Sequence, residues 1–393
     1  MNDQDEIAKL VFTTYNALPD KCKPRTRPDG TPEWTNLAGI VLVGGDGYNH
    51  DENDRVCASI ATGVKATADE NLPHAAGQVL HDCHAEILAI RAFNRFMIDQ
   101  CNSRNSSDNP IVMFNPDRGK YELRPRWRRI VMVATEVPCG DASMDRLSDG
   151  KIAWDEANIQ AMDNDGTGPM IGRGYFSRVG VVRTKPGRAD APRTMSKSCS
   201  DKLAARQRTS LLLTATSTIM SAQNMYLTEL IVPSQKHDLS SFGRAFGRVR
   251  PFDCTTALAR PAEYGFVPIT VTTYSAVAGR MFAHDRTRQE LVSKPSMVSL
   301  VYVAGGQHGA EAIVKGRRMG GRAGTAAAAS VVCRQALARA AALAIMAVEN
   351  PHDQVVTRYI ELKTMDPARV AVKQATRRAL GNWTPTATDD FSL

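Results

Sequence analysis

The stretch Val79-Leu80-His81-Asp82-Cys83-His84-Ala85-Glu86-Ile87 is the most informative part of this 393-residue sequence. It places the imidazole of His84 two residues before the carboxylate of Glu86. Two cysteine motifs follow, Pro138-Cys139-Gly140 and Ser198-Cys199-Ser200-Asp201-Lys202. Histidine nitrogens and cysteine thiolates are common zinc ligands in proteins. The sequence therefore predicts a metal site built from one histidine and two cysteines.

A His two residues before a Glu, followed later by a Pro-Cys pair, resembles the pattern of the zinc-dependent nucleobase deaminases. A catalytic zinc typically keeps three protein ligands and one open position for water, and His84, Cys139 and Cys199 would be those ligands. Coordination lowers the pKa of the water to about 7, so that hydroxide exists at neutral pH. We expect Glu86 to take the proton of the zinc-bound water and to deliver it to the ring nitrogen and the departing ammonia.

The cysteine spacing departs from the usual pattern, in which the second cysteine follows the first by three residues. Here Cys139 is followed by Gly140-Asp141-Ala142-Ser143. The third ligand must therefore come from elsewhere, and Cys199 is the best candidate. Such an arrangement resembles the editing deaminases that act on adenosine in RNA.

Within that group the chain resembles the tRNA-specific adenosine deaminase 1 family over nearly its whole length. Four stretches carry the resemblance: Ile7 to Pro24, Glu33 to Val41, Arg183 to Asp190 and Asn382 to Phe391. The resemblance implies conversion of the adenosine immediately 3′ of the anticodon (position 37) of tRNA-Ala to inosine. It also implies an α/β, cytidine-deaminase-like three-layer fold, in which a mixed sheet is flanked by helices and helical segments are added after Cys199.

Length and composition agree with such an enzyme. The candidate ligands span positions 84 to 199 and no Pro/Ser/Gly-rich linker divides the chain, so we expect one catalytic domain over residues 1–393. A net charge of +8 and a pI near 9.1 favour a polyanionic partner. We find no cationic signal region after Met1, no apolar run long enough for a membrane span, and no sign of an obligate protein partner. Eight cysteines without a secretory context indicate reduced thiols, and we expect action inside the cell, in the cytoplasm or nucleus.

Hydrophobic patterns assign the motifs to helices, strands and loops. A predicted helix begins at His84 and buries Ile87, Ile90, Phe93 or Asn94, and Met97. The other predicted elements are buried strands at Asn36 to Val43 and Arg129 to Thr135, surface loops at Gln100 to Pro110 and Asp163 to Gly174, and an alanine-rich helix at Arg322 to Val348 that can bury Val331, Val332, Leu337, Leu343 and Ile345.

The family resemblance also implies a buried inositol hexakisphosphate. The matching positions are Ile87 (through its backbone), Arg91, Lys202, Arg334, Tyr359, Lys363, Lys373, Trp383 and Asp389. So many cations cannot share one interior without an anion that neutralises them. Four positions depart from the family's pattern: His81 where Asn is usual, Ile90 and Ala205 where Arg is usual, and Arg369 where Tyr is usual. A solvated helix face is the alternative interpretation of Tyr359 and Lys363.

RNA contacts are expected at a few basic residues. Gly63-Val64-Lys65 occupies a stretch where the family places a Gly-Thr-Lys contact to the target nucleotide, so we expect Lys65 to bind a phosphate. Arg183, Lys185 and Arg188 are either RNA contacts or a plain exposed basic loop.

Other functions remain open from the sequence alone. The chain is alternatively an adenosine deaminase of other structured or double-stranded RNA, or a catalytically weak RNA-binding relative. Glu86 disfavours the weak relative, which would be expected to lose the shuttle carboxylate. The lack of a double-stranded-RNA-binding module disfavours the duplex editors. Cys83 is expected to be a packed thiol, and it is the next candidate ligand if Cys199 is not one.

Overall fold

The computed structural model describes most of the chain. The described residues are 2–45, 54–73, 75–103, 109–148, 170–172, 174, 178–187, 190–249, 263–286, 293–322, 324–348, 357–381, 383–384, 386 and 390–393. They form one eight-stranded sheet, four two-stranded sheets and ten α-helices.

The strands are numbered in chain order. They are β1 (Glu33–Trp34), β2 (Leu37–Val43), β3 (Arg55–Thr62), β4 (Val64–Ala66), β5 (Asp82–His84), β6 (Val112–Asn115), β7 (Lys120–Leu123), β8 (Arg129–Ala134), β9 (Met170–Ile171), β10 (Arg183–Thr184), β11 (Glu229–Pro233), β12 (Thr270–Tyr274), β13 (Lys294–Pro295), β14 (Ser299–Val303), β15 (Ala310–Val314) and β16 (Arg317–Arg318).

The helices are numbered in the same way. They are α1 (Asp3–Asn16), α2 (Ala85–Cys101), α3 (Met144–Ser148), α4 (Cys199–Thr209), α5 (Thr214–Ile219), α6 (Leu239–Gly247), α7 (Ala276–Gly279), α8 (Arg334–Val348), α9 (Tyr359–Thr364) and α10 (Pro367–Leu380).

The central sheet has the strand order β12-β11-β8-β2-β3-β14-β15-β16. Strands β8, β11 and β12 are parallel to one another, and the other neighbouring pairs are antiparallel. Successive side chains of a strand point to opposite faces of the sheet. On β2, Ile40 and Leu42 pack in a core shared with α2, whereas Val41 and Val43 pack in a core shared with α1. The predicted α/β class, with a mixed sheet flanked by helices, is confirmed.

The ends of several strands meet at the edge of the sheet where the site lies. Because β8 is antiparallel to β2 and parallel to β11, its carboxyl end lies beside the amino end of β2 and the carboxyl end of β11. The backbone of Thr135, just after β8, donates to the carbonyl of Leu37 at 3.0 Å. The carbonyl of Asn36 accepts from Gly63 at 3.0 Å, and that of Gly63 accepts from Ala85 at 3.0 Å. This edge therefore joins the segment after β8 to the start of α2.

The two predicted strands and the predicted start of the helix before residue 140 agree with the structure to within about one residue. Strand β2 begins at Leu37, β8 ends at Ala134, and α2 begins at Ala85 with His84 as its N-cap. The α2 stripe is buried at Ile90, Phe93 and Met97, while Ile87 is half-buried. The predicted loop at 100–110 starts too early, since α2 continues to Cys101. Residues 104–108 of this loop, and most of the predicted loop at 163–174, lie outside the described residues.

The alanine-rich helix is shorter than predicted. Helix α8 begins at Arg334, not at Arg322. Ahead of it, the hydroxyl of Ser330 and the backbone N–H of Val331 donate to the buried carboxylate of Glu311 at 2.6 and 3.2 Å. These contacts hold the backbone away from a helical path, so tertiary hydrogen bonds override alanine's propensity.

The burial predicted for this helix is partly wrong. Val332 and Leu337 are buried and Val331 is half-buried, but Leu343 is 63% exposed. The side chain of Ile345 lies outside the described ones. Across the described residues, no helix combines the length and apolarity needed to cross a membrane.

Candidate metal centre and active site

The structure brings together the three predicted metal ligands. The Sγ atoms of Cys139 and Cys199 each lie 3.7 Å from Nδ1 of His84. One ligand atom from each residue lies within 4.8 Å of the others. One imidazole and two thiolates form a donor set that suits zinc. The cluster is therefore a candidate metal site consistent with zinc.

Two helix starts supply two of these ligands. His84 is the last residue of β5 and the N-cap of α2, and its backbone N–H donates to Oδ1 of Asp82 at 3.0 Å. Cys199 is the first residue of α4, where the side chain of Ser198 caps the helix by accepting from the backbone N–H of Asp201 at 3.1 Å. The positive ends of the two helices favour negative charge at this point, and hence thiolate.

The Cys139 loop packs tightly against the start of α4. The backbone N–H of Ser200 donates to the Cys139 carbonyl at 3.0 Å, and its hydroxyl donates to the Pro138 carbonyl at 2.9 Å. Gly140 has a φ of +100°, and a Cβ atom there would lie 2.2 Å from Oγ of Ser198. Only glycine fits this close approach, so Gly140 lets the two cysteine segments touch.

The thiol of Cys139 lies in an environment that stabilises its charged form. Its Sγ accepts from the backbone N–H of Cys199 at 3.4 Å. Hydrogen bonding from Cys199, together with the nearby Lys185 and His84, lowers the pKa of Cys139 well below its ordinary value. Cys83 is different: burial raises its pKa to about 12, its Sγ lies 3.9 Å from the Leu80 carbonyl, and it is not part of the metal cluster. The expectation that Cys83 is a packed thiol is confirmed.

Glu86 lies in the first turn of α2, two residues from His84. It is 4% exposed, and among the described residues its Oε2 has no hydrogen-bond partner. Burial, reinforced by the Cys139 thiolate, raises its pKa above the ordinary value for glutamate. A buried polar atom without a partner costs stability. The arrangement leaves a carboxylate oxygen available to accept a proton beside the metal cluster.

Asp82 links the metal cluster to a group of cations, a role that sequence reasoning missed. Lys185 donates from Nζ to both carboxylate oxygens of Asp82 at 2.7 Å and also to Sγ of Cys199 at 3.5 Å. Lys202 and the hydroxyl of Ser196 donate to the same carboxylate. Burial alone would raise the pKa of Asp82, but the two lysines outweigh burial and hold it well below its ordinary value.

Two of the predicted RNA contacts are buried. Lys185 is 4% exposed and Arg183 is fully buried, with its guanidinium donating to the carbonyls of Gly172 and Gly174 at 3.0 and 2.7 Å. The expectation of RNA contacts or an exposed basic loop is therefore wrong for both, because each side chain is buried and donates its hydrogen bonds to groups within the protein. Arg188 lies outside the described residues. Lys65 is half-buried on β4, paired with Cys83 of β5.

A cavity of about 320 Å³ adjoins Asp82, and eight lysines and arginines are among the residues that line it. Most of the positions matched to inositol hexakisphosphate line it: Ile87, Arg91, Lys202, Arg334, Tyr359, Lys373 and Trp383. Two do not belong to this set. Lys363 does not line the cavity, and its Nζ lies 5.1 Å from the centroid of the Tyr359 ring. Asp389 lies outside the described residues.

The departures from the family pattern also line this cavity: His81, Ile90, Ala205 and Arg369. Three further cations that sequence reasoning missed line it as well: Lys197, Arg206 and Arg377. A signal for some of them was present in the sequence. Lys202 and Arg206 on α4 are four residues apart, as are Arg369, Lys373 and Arg377 on α10, and like charges at this spacing share one helix face and destabilise an isolated helix. Such a repeat on two helices that pack together favours an anion between them.

The cations of the cavity are held close to one another in a poorly solvated site. Burial and neighbouring arginines lower the pKa of Lys373 to about 7, that of Arg206 to about 9 and that of Arg91 to about 10. Nη2 of Arg91 and both Nε and Nη1 of Arg369 are buried without a hydrogen-bond partner in the described part of the chain. Clustered buried cations with unsatisfied donors and lowered pKa values are typical of a site that binds an anion. The cavity therefore fits a multiply charged anion.

One imidazole and two thiolates beside a buried carboxylate are typical of zinc-dependent nucleobase deaminases. Comparison with known proteins agrees. The family model for the adenosine-deaminase (editase) domain matches residues 59–386. The protein named tRNA-specific adenosine deaminase 1 of Schizosaccharomyces pombe is 33% identical over 400 aligned positions, which cover 98% of this chain and 95% of that protein.

More partial matches point the same way. The Saccharomyces cerevisiae protein named tRNA-specific adenosine deaminase 1 is 41% identical over 217 positions, which cover 53% of each chain. Double-stranded RNA-specific editase B2 of Rattus norvegicus is 29% identical over 43% of this chain and 23% of that protein. The chain belongs to the adenosine-deaminase (editase) domain family and is an enzyme of that family, with relatives named tRNA-specific adenosine deaminase 1.

Proposed function

We propose that the protein is a tRNA-specific adenosine deaminase that converts the adenosine immediately 3′ of the anticodon of tRNA-Ala to inosine. The observation that carries this proposal is the buried carboxylate of Glu86 beside the cluster of His84, Cys139 and Cys199, with one oxygen that no described residue hydrogen-bonds. The two fungal relatives are named tRNA-specific adenosine deaminase 1, which supports tRNA as the substrate. We further propose the cytidine-deaminase-like version of the α/β fold, formed by one catalytic domain over residues 1–393.

The residues of the site divide the chemistry between them. His84, Cys139 and Cys199 would hold a zinc ion, which when bound supplies an activated water at neutral pH. Glu86 would accept one proton of the water and deliver it to the ring nitrogen of the adenine, and would then transfer the second proton, from the hydroxyl group added at C6, to the leaving amine. Its raised pKa, caused first by burial, suits a group that must hold a proton for part of the cycle. Ammonia and inosine are the products.

The substrate must bring its base to this site. The target adenosine has to leave the stacked anticodon loop, which costs a few kcal/mol, and less in a loop than in a duplex. Lys65 supports this step as the proposed phosphate contact, since the residue before it, Val64, pairs with His84 across β4 and β5. A cation there would hold the RNA backbone beside the metal ligands.

We also propose inositol hexakisphosphate as a structural ligand of the cation-lined cavity. A single inner carboxylate, Asp82, faces eight lysines and arginines in the described lining. A small, highly phosphorylated anion would satisfy the unpaired donors of Arg91 and Arg369. Hydrogen bonds connect this cavity to the metal site: Lys202 donates to Asp82, and Lys185 donates to both Asp82 and Cys199. A bound anion would therefore act electrostatically on the metal ligands through these residues.

Inosine formation on three substrates tests the proposed reaction. The zinc-loaded protein would be incubated in parallel with tRNA-Ala, with duplex RNA and with free adenosine, and the modified position would be located by sequencing. We expect inosine in tRNA-Ala at the adenosine 3′ of the anticodon and little on the other two. Efficient editing of duplex RNA would instead support the double-stranded-RNA alternative. Tight tRNA binding without any inosine would support a catalytically weak RNA-binding relative.

A further inference from the structure

Each metal-binding cysteine is followed two residues later by an aspartate. Asp141 follows Cys139, and Asp201 follows Cys199. Both aspartates are fully buried, although buried carboxylates are rare unless they are paired. Each of the two cysteine segments therefore carries a buried carboxyl group two residues after its candidate metal ligand.

Arg248 forms ion pairs with both aspartates, and the buried Arg183 also interacts with both electrostatically. Arg248, at the carboxyl end of α6, donates from Nη2 to Oδ1 of Asp201 at 2.5 Å, and its Nε lies 3.8 Å from Oδ2 of Asp141. Its side chain is 11% exposed. Arg244, one turn earlier, contacts Asp141 at 3.3 Å and Asp145 at 2.7 Å, which are both on the Cys139 side. Of these two arginines, Arg248 is the one that contacts carboxylates of both the Cys139 segment and the Cys199 segment in the described structure.

The charges explain why this arginine matters to the metal site. Two carboxylates buried near each other repel, and burial strengthens that repulsion because the dielectric is low. The Cys139 and Cys199 segments would be pushed apart unless a cation lies between their aspartates. The backbone and hydroxyl contacts of Ser200 hold the segments together at one point, and Arg248 joins them at a second point through Asp201 and Asp141.

We propose that Arg248 is a positioning residue that keeps Cys139 and Cys199 at the separation needed to hold the metal. This proposal rests on the proposed zinc site but concerns a residue that touches neither the metal nor the substrate. Interactions that orient metal ligands typically change metal affinity by about 10–100-fold when they are removed. An ordinary ion pair that only stabilises the fold would have no such effect on the metal.

The rate of zinc release separates the two roles. Zinc-loaded protein would be mixed with excess EDTA, and zinc release would be followed with time. We expect Arg248→Met to release zinc about 10–100-fold faster than the wild type, and Arg248→Lys to recover most of the difference because it restores the charge. Arg129→Met is the matched control, since Arg129 also bridges two carboxylates, Asp3 and Glu229, at 2.5 and 2.9 Å. It should lower the melting temperature without changing zinc release.

The outcomes are distinct. If the wild type holds no zinc, the proposed metal site fails. If the wild type holds zinc and Arg248→Met releases it at the wild-type rate, the positioning role fails while the metal site stands. Equal acceleration by Arg129→Met would show that zinc release follows global stability, and would also overturn the role. Should Arg248→Met not fold, the double variant Asp201→Asn/Arg248→Met removes the uncompensated charge, and it should still release zinc faster than Asp201→Asn alone.

Discussion

At the scale of single residues, the site is defined by side chains whose burial has a cost. Glu86 has a buried carboxylate oxygen without a hydrogen-bond partner in the part of the chain that the structure describes, and Cys139 and Cys199 place two candidate sulfur ligands near one imidazole. Such groups destabilise a fold unless a ligand or a reaction uses them. Cys83, the neighbour of His84, lacks this character because it packs as a neutral thiol.

The metal content of cysteine variants tests the ligand assignment. Cys199→Ala should lose the roughly one zinc per chain expected for a three-ligand site, as His84→Ala should. Cys83→Ala is the matched control, since it removes a buried thiol next to the ligand strand and should keep its zinc. Elemental analysis of the purified proteins gives the answer. Full zinc in Cys199→Ala together with loss of zinc in Cys83→Ala would reverse the assignment.

Glu86→Gln separates binding from chemistry. Glutamine keeps the shape of the side chain but cannot accept the proton, so turnover should fall by at least about 10²–10⁴-fold. Zinc content and tRNA affinity should remain at the wild-type level, because the carboxylate is not a predicted ligand. Glu122→Gln, on β7 and paired with Arg118 at 3.2 Å, is the control and should keep full activity. Inosine formation by Glu86→Gln at a wild-type rate would contradict the shuttle role.

At the scale of elements, three helices organise the protein's charges: α2 and α4 through their first turns, and α4 and α10 through the faces that they turn to the cavity. The first turns of α2 and α4 carry His84, Glu86 and Cys199. Farther along, α4 packs against α10, and each presents a row of cations to the same cavity. Like charges at this spacing destabilise an isolated helix, so a multiply charged anion bound between the two helices would stabilise both rows.

Charge reversal on α10 tests this dependence. Lys373→Glu should weaken the binding of inositol hexakisphosphate by at least about tenfold, because a hydrogen bond to a charged group contributes about 1.5–3 kcal/mol. Arg378→Glu makes a charge change of the same sign on the same helix, but outside the cavity lining, and should have little effect. Titration followed by calorimetry measures both. Equal weakening in the two variants would indicate a general surface effect rather than a site.

At the scale of the whole molecule, the sheet assembles the site from distant segments. Cys139 follows β8 in the middle of the sheet, whereas His84 lies on β5 of a separate two-stranded sheet that is hydrogen-bonded to the central sheet's edge through Gly63. The cavity gathers residues from position 79 to position 386. The stability of the whole chain should therefore respond to the charge state of this one cavity.

The pH dependence of stability tests that coupling. In the folded state the pKa of Lys373 is lowered to about 7, and its ordinary value is 10.5. Below pH 7 the lysine is charged in both states, so its unfavourable burial is fully present. Between about pH 7 and 10.5 the unfolded chain binds the extra proton, so the free energy of unfolding rises with pH. Lys197, with a pKa lowered to about 8 by burial and by Lys202, acts in the same direction.

Thermal denaturation without inositol hexakisphosphate should therefore give a higher melting temperature at pH 9 than at pH 7. Adding inositol hexakisphosphate should stabilise the protein more at pH 7 than at pH 9. The anion neutralises the charge of the buried lysines, and more of that charge is present at pH 7. Lys373→Met should reduce the pH dependence. A melting temperature that falls between pH 7 and pH 9, or a Lys373→Met variant with an unchanged profile, would contradict the account.

The sequence alone determined the local parts of this protein. The resemblance of three short motifs to a known family predicted the metal ligands and the role of Glu86. Apolar periodicity and helix-start signals, which are local, predicted the start of α2 and the two central strands. It did not determine where charged side chains far apart in the chain would lie. In the sequence, Arg183 and Lys185 are indistinguishable from an exposed basic loop. In the structure both are buried: Arg183 donates to Asp201 through its backbone and to a backbone carbonyl through its guanidinium, and Lys185 donates to Asp82. Only the tertiary structure could decide this, since the cost of burying a charge depends on which partners the fold brings within hydrogen-bonding distance.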